Sequence, residues 1–383
     1  MIAGEPSGDA QAARLAAAML AREPGLELVG ATGPLMREAG VREIVDIREL
    51  SVMGFSELLG GLGRIRRCYR RLAAELRGQN RPALVVLTDF PDFNIAMARV
   101  ARRAGVPVLY HVSPQVWAWR RGRIAKICRR VDRMICLFPF EQQLYRDRGL
   151  DAHFVGHPLA EDVAADRDPA ETRRRLEPLG LEGSQPLVAL LPGSRRSTVA
   201  HNLPALLGAA ERLADRAFCA IACAPGLDAG PVREMAQRAG VRVALVEGDT
   251  YNLLAASDAV AVSSGTATVE CALLERPMVV VYRMSALTYS IARSLVKVPY
   301  IAMPNLVLGE RVVPELIQHE MTAERIAAEI SRFLDEPGEA ARVRGRLSEV
   351  RDALVVPGAA DRAAALALEM LPAAGVSPAE APR

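Results

Sequence analysis

Two series of short, almost uninterrupted apolar runs, each followed by a turn and a helix-like stretch, constrain this chain more than any single motif does. The first series covers 26–30, 83–88, 106–111, 133–137 and 153–155, after a stub at Met1-Ile2-Ala3; the second covers 187–191, 218–224, 241–246, 259–262 and 278–282. Strands without polar alternation are buried on both faces, the condition of parallel sheets covered by helices. A length of 383 residues exceeds one ordinary core, so the pattern predicts an α/β chain with two doubly wound, Rossmann-like domains. A polar, Pro-rich stretch at 161–185 separates the series. We place the first domain at 1–165, the second at 166–350, and a closing helix and frayed tail at 351–383. Ligands of such sheets bind at strand carboxyl ends, so the two domains are expected to face a central cleft.

Composition narrows the function. With 48 basic and 45 acidic residues the net charge is only +3, which argues against a surface given over to nucleic acid. Lys126 and Lys297 are the only lysines, so a single arginine carries little information. The six cysteines include no Cys-x-x-Cys and read as buried free thiols in a reducing compartment. No apolar stretch approaches the ~20 residues of a membrane span. A cytoplasmic protein, free or held at a membrane surface, is expected.

The strongest local signal is the run 259–262 followed by Ser263-Ser264-Gly265-Thr266-Ala267-Thr268-Val269-Glu270. A helix opening at a strand's end gathers free N–H groups and the positive end of its dipole, which suits a phosphate. Glu270, one turn in, can lean back and accept hydrogen bonds from a vicinal diol such as a ribose. An ordinary strand-to-helix turn reads the same way. At the end of the run 187–191, Gly193-Ser194-Arg195 brings a guanidinium beside free N–H groups, a diphosphate clamp or else a solvated arginine. Asp92, after the run 83–88, is a candidate general base or simply a helix cap. Glu5, Ser7 and Asp9 are ligands or caps of the first turn. Two basic stretches suit an anionic membrane surface or a solvated helix face: Phe55, Leu58, Leu59 and Leu62 with Arg66 and Arg70, and Trp117 and Trp119 with the arginines after them. No phosphate loop of the Gly-x-x-x-x-Gly-Lys type is present, and the five histidines lack metal-ligand spacing. No metal or cofactor is indicated.

Together, Gly4-Glu5-Pro6-Ser7-Gly8-Asp9, Val52-Met53-Gly54-Phe55, Pro91-Asp92-Phe93-Asn94, Val112-Ser113-Pro114-Gln115-Val116-Trp117-Ala118-Trp119-Arg120, Phe138-Pro139-Phe140-Glu141, Val155-Gly156-His157, the 190–195 turn, Ser264 to Glu270, Tyr282-Arg283-Met284 and Met303-Pro304-Asn305-Leu306 resemble the lipid-A-disaccharide synthase family in content and order. The resemblance covers roughly residues 1–355. It implies the GT-B fold and an inverting transfer of 2,3-diacylglucosamine from UDP to 2,3-diacylglucosamine 1-phosphate (lipid X), at the cytoplasmic face of the inner membrane. It makes Asp92 the base, sets Gly193, Ser194, Arg195, Gly265 and Thr266 against the diphosphate, gives the ribose to Glu270, and puts Asn305 in the same site. A homodimer is compatible with it. Thr198 departs from the family pattern, which has an acidic residue there, and the first strand is shorter than in other members. Two readings compete with it: another UDP-sugar enzyme of the same fold, such as a peptidoglycan-type transferase or a UDP-N-acetylglucosamine 2-epimerase, and a non-catalytic nucleotide-sugar binder.

Overall fold

The computed structural model describes residues 1–50, 58–119, 121–163, 167–296 and 298–372. The chain divides into two compact units, Met1–Pro158 with the segment from Val356 onward, and Leu159–Val355. The sequence reading instead set boundaries at 165/166 and 350/351. The difference at the C-terminal end is physical. The helix Ala359–Leu368 carries Ala359, Ala363, Ala364 and Ala367 on one face, and these small residues pack with Leu15 and Met19 of the helix Pro6–Arg22 in the first unit's core. Arg133 bonds the Leu366 carbonyl at 2.7 Å and pairs with Glu369, tying that helix's last turn to the same unit.

In the first unit the strands are β1 (Val29–Thr32), β2 (Arg42–Asp46), β3 (Val85–Thr88), β4 (Val108–His111), β5 (Arg133–Cys136) and β6 (Asp151–Phe154). β1 pairs with β2, and β3-β4-β5-β6 form a second parallel run. Ile2 bridges the two runs, pairing with Ala31 on one side and Leu87 on the other. The N-terminal stub is therefore the central strand, reduced to one paired residue.

In the second unit the strands are β7 (Leu187–Leu191), β8 (Phe218–Cys223), β9 (Ala244–Glu247), β10 (Ala259–Ser263), β11 (Met278–Tyr282) and β12 (Glu315–Ile317), in the order β12-β11-β10-β7-β8-β9. All described strand pairs are parallel. Every residue of β7, β8 and β10 is buried, as expected of strands with helices on both faces. Helices begin on proline at Pro6, Pro34, Pro91, Pro139, Pro169 and Pro337, where a missing N–H costs no hydrogen bond and φ is already set.

Asp9, a candidate ligand by sequence, is a structural residue. It is 2% exposed and accepts from the backbone N–H groups of Gly33 (2.9 Å), Leu35 (3.0 Å) and Met36 (3.1 Å), which open the helix Pro34–Glu38. A buried carboxylate with both oxygens occupied in this way is committed to holding the turn. Asp9→Ala would leave these donors without their acceptor and lower the unfolding free energy by about 2–3 kcal/mol, read by urea denaturation. A loss near zero would mean that the Asp9 contacts do not hold this turn.

Candidate functional site

The strand order of the second unit carries a reversal point. From β7 the chain proceeds outward to β8 and β9, then returns to the other side of β7 to lay down β10. Val262 is registered against Leu191, so the turns leaving β7 and β10 lie side by side, the place where open α/β sheets bind ligands. Both turns rest on glycine. Gly193 has φ +122°, and a Cβ there would meet Thr198 Cγ2 at 2.7 Å and Ser263 Oγ at 3.5 Å. Gly265 has φ +139°, and a Cβ there would meet nothing within 4 Å, so the backbone borders open space.

Asn202, which sequence reasoning missed, joins these turns. Fully buried on the helix Arg196–Leu213, it donates to Pro192 O at 3.0 Å and Ser263 Oγ at 3.1 Å, and accepts from Arg283 N at 3.0 Å. One amide thus holds the ends of β7, β10 and β11. Arg195 is the N-cap of that 18-residue helix, without a side-chain cap, and both Ser194 and Arg195 are exposed. The exposed Arg195 guanidinium thus stands beside a helix N-terminus.

Glu270 lies in the first turn of the helix Ala267–Leu273, whose N-cap is Thr266. Tyr251 donates to its Oε1 at 3.4 Å, and the Tyr251 ring carries Arg167 at 4.9 Å from its centre. Burial raises the Glu270 carboxyl above its ordinary value, Asp162 adds to the rise, and the Tyr251 bond opposes it.

Asn305 does not line this site. It is 0% exposed and fully used: Nδ2 donates to Val313 O (3.0 Å) and Glu315 Oε1 (2.9 Å), while Oδ1 accepts from Val312 N (2.8 Å) and Val313 N (2.9 Å). Its role is to shape the neighbouring segment. Glu315 also accepts from Ile301 N and Ala302 N, Ser264 Oγ donates to Ile301 O, and Met303 N donates to Thr268 Oγ1. Residues 301–305 are thereby strapped to the turn after β10.

The first unit has the same kind of reversal point, between the Ile2 stub and β3. The chain passes from the stub to β1 and β2 on one side, then returns to β3 on the other. A Cβ on Gly4 would meet Phe90 Cγ at 2.2 Å, so the turns that leave the stub and β3 touch. The turn after β3 is strained: Asp89 (φ +48°) and Phe90 (φ +45°) are consecutive non-glycine residues in the left-handed region. Such residues cost on the order of 1–3 kcal/mol each and persist where surrounding contacts impose them. Here Asn94 Nδ2 bonds the Asp89 carbonyl at 2.8 Å and that of Thr88 at 3.1 Å, while Tyr110 Oη donates to the Asp89 carbonyl at 2.6 Å.

This geometry separates the expected base, Asp92, from a second carboxylate, Asp89, that the sequence reading did not consider. Asp92, the expected base, has a side chain 72% exposed and ion-paired with Arg123. Asp89 is the sequestered one. Burial raises its carboxyl above the ordinary range, the nearby Glu5 carboxylate raises it further, and a bond from Phe90 N opposes both. Glu5 and Ser7 are exposed at the start of the helix Pro6–Arg22. The signal that could have selected Asp89 was its place directly after the apolar run.

Trp117 is another correction. It is 5% exposed, donates to Glu141 Oε1 at 2.8 Å and meets Phe140 edge-on at 4.9 Å, so it is a core residue and not a membrane contact. Trp119 closes the helix Val116–Trp119. Leu58, Leu59 and Leu62 fall in the helix Leu58–Arg77, and Phe55 lies outside the described residues. On that helix Arg66, Arg67 and Arg70 are exposed, whereas Cys68, Leu72 and Leu76 are buried. No helix among the described residues is long and apolar enough to cross a membrane. Nor do they contain a group of three or more His, Cys, Asp or Glu placed to hold a metal.

The chain matches the family described as lipid-A-disaccharide synthetase over residues 1–361. It is 44% identical over 374 residues to lipid-A-disaccharide synthase of Geobacter metallireducens, covering 97% of this chain and 96% of that one. Among solved structures it is similar to the glycotransferase of kitacinnamycin, with TM-score 0.62 and 16% identity over 96% of this chain and 97% of that one. It is also similar to HepE of Anabaena, solved with UDP and glucose, with TM-score 0.55 and 16% identity over 97% and 98% of the two chains.

Arg195→Gln removes the exposed guanidinium beside this helix N-terminus. It should weaken binding of a nucleoside diphosphate about ten- to a hundredfold in titration calorimetry. Unchanged affinity would take Arg195 out of the site.

Proposed function

The chain belongs to the lipid-A-disaccharide synthase family, and from that premise we propose how its residues divide the work of the transfer. It is a glycosyltransferase of lipid A biosynthesis with the GT-B fold. Its substrates on this reading are UDP-2,3-diacylglucosamine as donor and 2,3-diacylglucosamine 1-phosphate as acceptor. The acceptor 6-hydroxyl oxygen attacks the donor's anomeric carbon, and the bond from that carbon to the diphosphate breaks with its electron pair leaving on UDP. The hydroxyl proton goes to a base. One displacement inverts the anomeric centre and needs no covalent intermediate.

The observation that carries the assignment of the base is the locked turn at Asp89, a half-buried carboxylate at the end of β3 with its affinity for a proton raised. A base must be ionised before the reaction yet accept a proton during it, and a raised carboxyl serves that better than the exposed, cation-paired Asp92. The leaving diphosphate is stabilised by Arg195 and the N–H groups opening the helix Arg196–Leu213, with Gly265 letting it approach the backbone. Glu270 accepts from the ribose hydroxyls. Acylated substrates reside in a lipid surface, and the exposed Arg66, Arg67 and Arg70 suit docking on an anionic leaflet, the cytoplasmic face of the inner membrane on this reading.

Incubation of the protein with both substrates should yield UDP and the β-1′,6-linked disaccharide 1-phosphate; a folded protein that binds UDP and yields neither refutes the activity. Asp89→Asn should lower kcat by about a hundredfold or more with UDP affinity unchanged, and Asp92→Asn by much less. Because the Asp89 pKa is raised, kcat/KM should fall on acidification at a higher pH than an ordinary aspartate near 3.9 would give. The sign for stability is opposite: the neutral acid is favoured in the fold, so stability present below the unfolded value is lost as pH rises through the folded one. Equal activity for Asp89→Asn and wild type would dismiss Asp89 as base. Replacing Arg66, Arg67 and Arg70 together with Gln should weaken binding to phosphatidylglycerol vesicles by roughly 3 kcal/mol at low salt, and binding that does not change would discard the docking face.

A further inference from the structure

Glu141 is a buried carboxylate that the transfer chemistry above does not use. It is the third residue of the helix Pro139–Arg146 and is 0% exposed. Its Oε2 accepts from Leu137 N at 2.9 Å and Phe138 N at 3.0 Å, as expected of a glutamate reaching back to its own helix start. Capping does not account for the rest. The same Oε2 accepts from Ser113 Oγ at 2.5 Å, and Oε1 accepts from Trp117 Nε1 at 2.8 Å, both from the segment that leaves β4. Burial pushes the Glu141 carboxyl up to about 7 against the pull of these four bonds.

That segment leaves β4 in a forced conformation. Val112, a β-branched residue, has φ +66°, and Ser113 N bonds Ile135 O of β5 at 3.1 Å. Trp117 is wedged edge-on against Phe140, which stacks on Phe138 at 5.5 Å. A few residues further on, Arg123 pairs with Asp92. Tyr110 on β4, whose hydroxyl bonds the Asp89 carbonyl, is within electrostatic reach of Asp89, Asp92 and Arg123 alike. Glu141 is thus connected through Ser113 and Trp117 to the segment that carries Arg123, the cation paired with Asp92.

We propose that Glu141 is a positioning residue for the acceptor end of the site: it ties Ser113 and Trp117 to the end of β5 and so sets where Arg123 stands against Asp92. The inference rests on the proposed function, which puts the base that takes the acceptor's proton in the first unit and so makes that unit the acceptor side, where a phosphorylated sugar needs a fixed cation. The chemistry requires an acceptor-only side chain. Trp117 Nε1 and the two backbone N–H groups can only donate, so a Gln amide sets N–H against N–H on one side and loses either Trp117 or the bonds to the Leu137–Phe138 turn.

The test measures acceptor KM, kcat and UDP affinity in the full chain for Glu141→Gln, Arg123→Gln and the double variant. The expected result is an acceptor KM raised about tenfold in Glu141→Gln with UDP affinity unchanged, and a double variant no worse than Arg123→Gln alone, because both act through one contact. Effects that multiply in the double variant, or donor and acceptor constants that move together, would reduce Glu141 to fold support and overturn the inference. If Glu141→Gln does not fold, Ser113→Ala, which removes one donor and keeps the carboxylate, takes its place in the same cycle and is judged by the same two outcomes. Wild-type protein that makes no disaccharide refutes the functional reading and this inference with it, whereas active wild type with a multiplicative cycle refutes this inference alone.

Discussion

Parallel sheets end all their strands on one edge, and the carbonyls and N–H groups that leave the ladders there must be satisfied without closing the edge to a ligand. Two buried asparagines meet that constraint. Asn94 donates to the carbonyls of Thr88 and Asp89 at the end of β3; Asn202 serves Pro192, Ser263 and Arg283 at the ends of β7, β10 and β11. Each sits on the helix that follows a strand beside its unit's reversal point. Both amides donate from a short, stiff stem, and Asn202 also accepts, from Arg283 N. These amides bond the strained Asp89-Phe90 turn and the Ser263 side of the turn after β7.

The electrostatics of the two units differ as their proposed tasks do. In the first, the acid at the strand end is sequestered and sits near a second carboxylate, Glu5, so both burial and like charge favour its neutral form. In the second, the cation is exposed beside the amino end of a long helix, where it remains ready for a ligand's oxygens. A base benefits from a dry surrounding that raises its proton affinity. A leaving-group clamp benefits from donors that stay unsatisfied until the ligand arrives. Around both, Asn305, Glu315 and Glu141 spend all or most of their hydrogen-bonding capacity on backbone and side-chain partners, and so shape loops.

Several polar residues looked alike in sequence and parted in three dimensions. Asp89 and Asp92 flank one proline after one strand. Asp89 is the half-buried one, on a turn whose Phe90 closes on Gly4, more than eighty positions away in the chain. Asp9 looked like a ligand in a short loop, but Gly33, Leu35 and Met36 consume it. Trp117 lay among arginines and suggested a lipid surface, yet Glu141 and Phe140 draw it inward. Two strands escaped the apolar-run reading for a related reason. β2 is a partly exposed edge strand with the sequence Arg-Glu-Ile-Val-Asp, and β12 is three residues long.

The sequence by itself determined the alternation of buried strands and helices, the glycine turns that carry Arg195 and Gly265, and the collinear motifs of the family. These are local matters of periodicity, turn chemistry and spacing, and each is written in consecutive residues. Only the tertiary structure decided which carboxylate is sequestered, that the C-terminal helix returns to the first unit, and that Asn202 and Glu141 act as junctions. Burial and hydrogen-bond partnership are properties of residues distant in the chain, and no window of sequence contains both sides of such a contact.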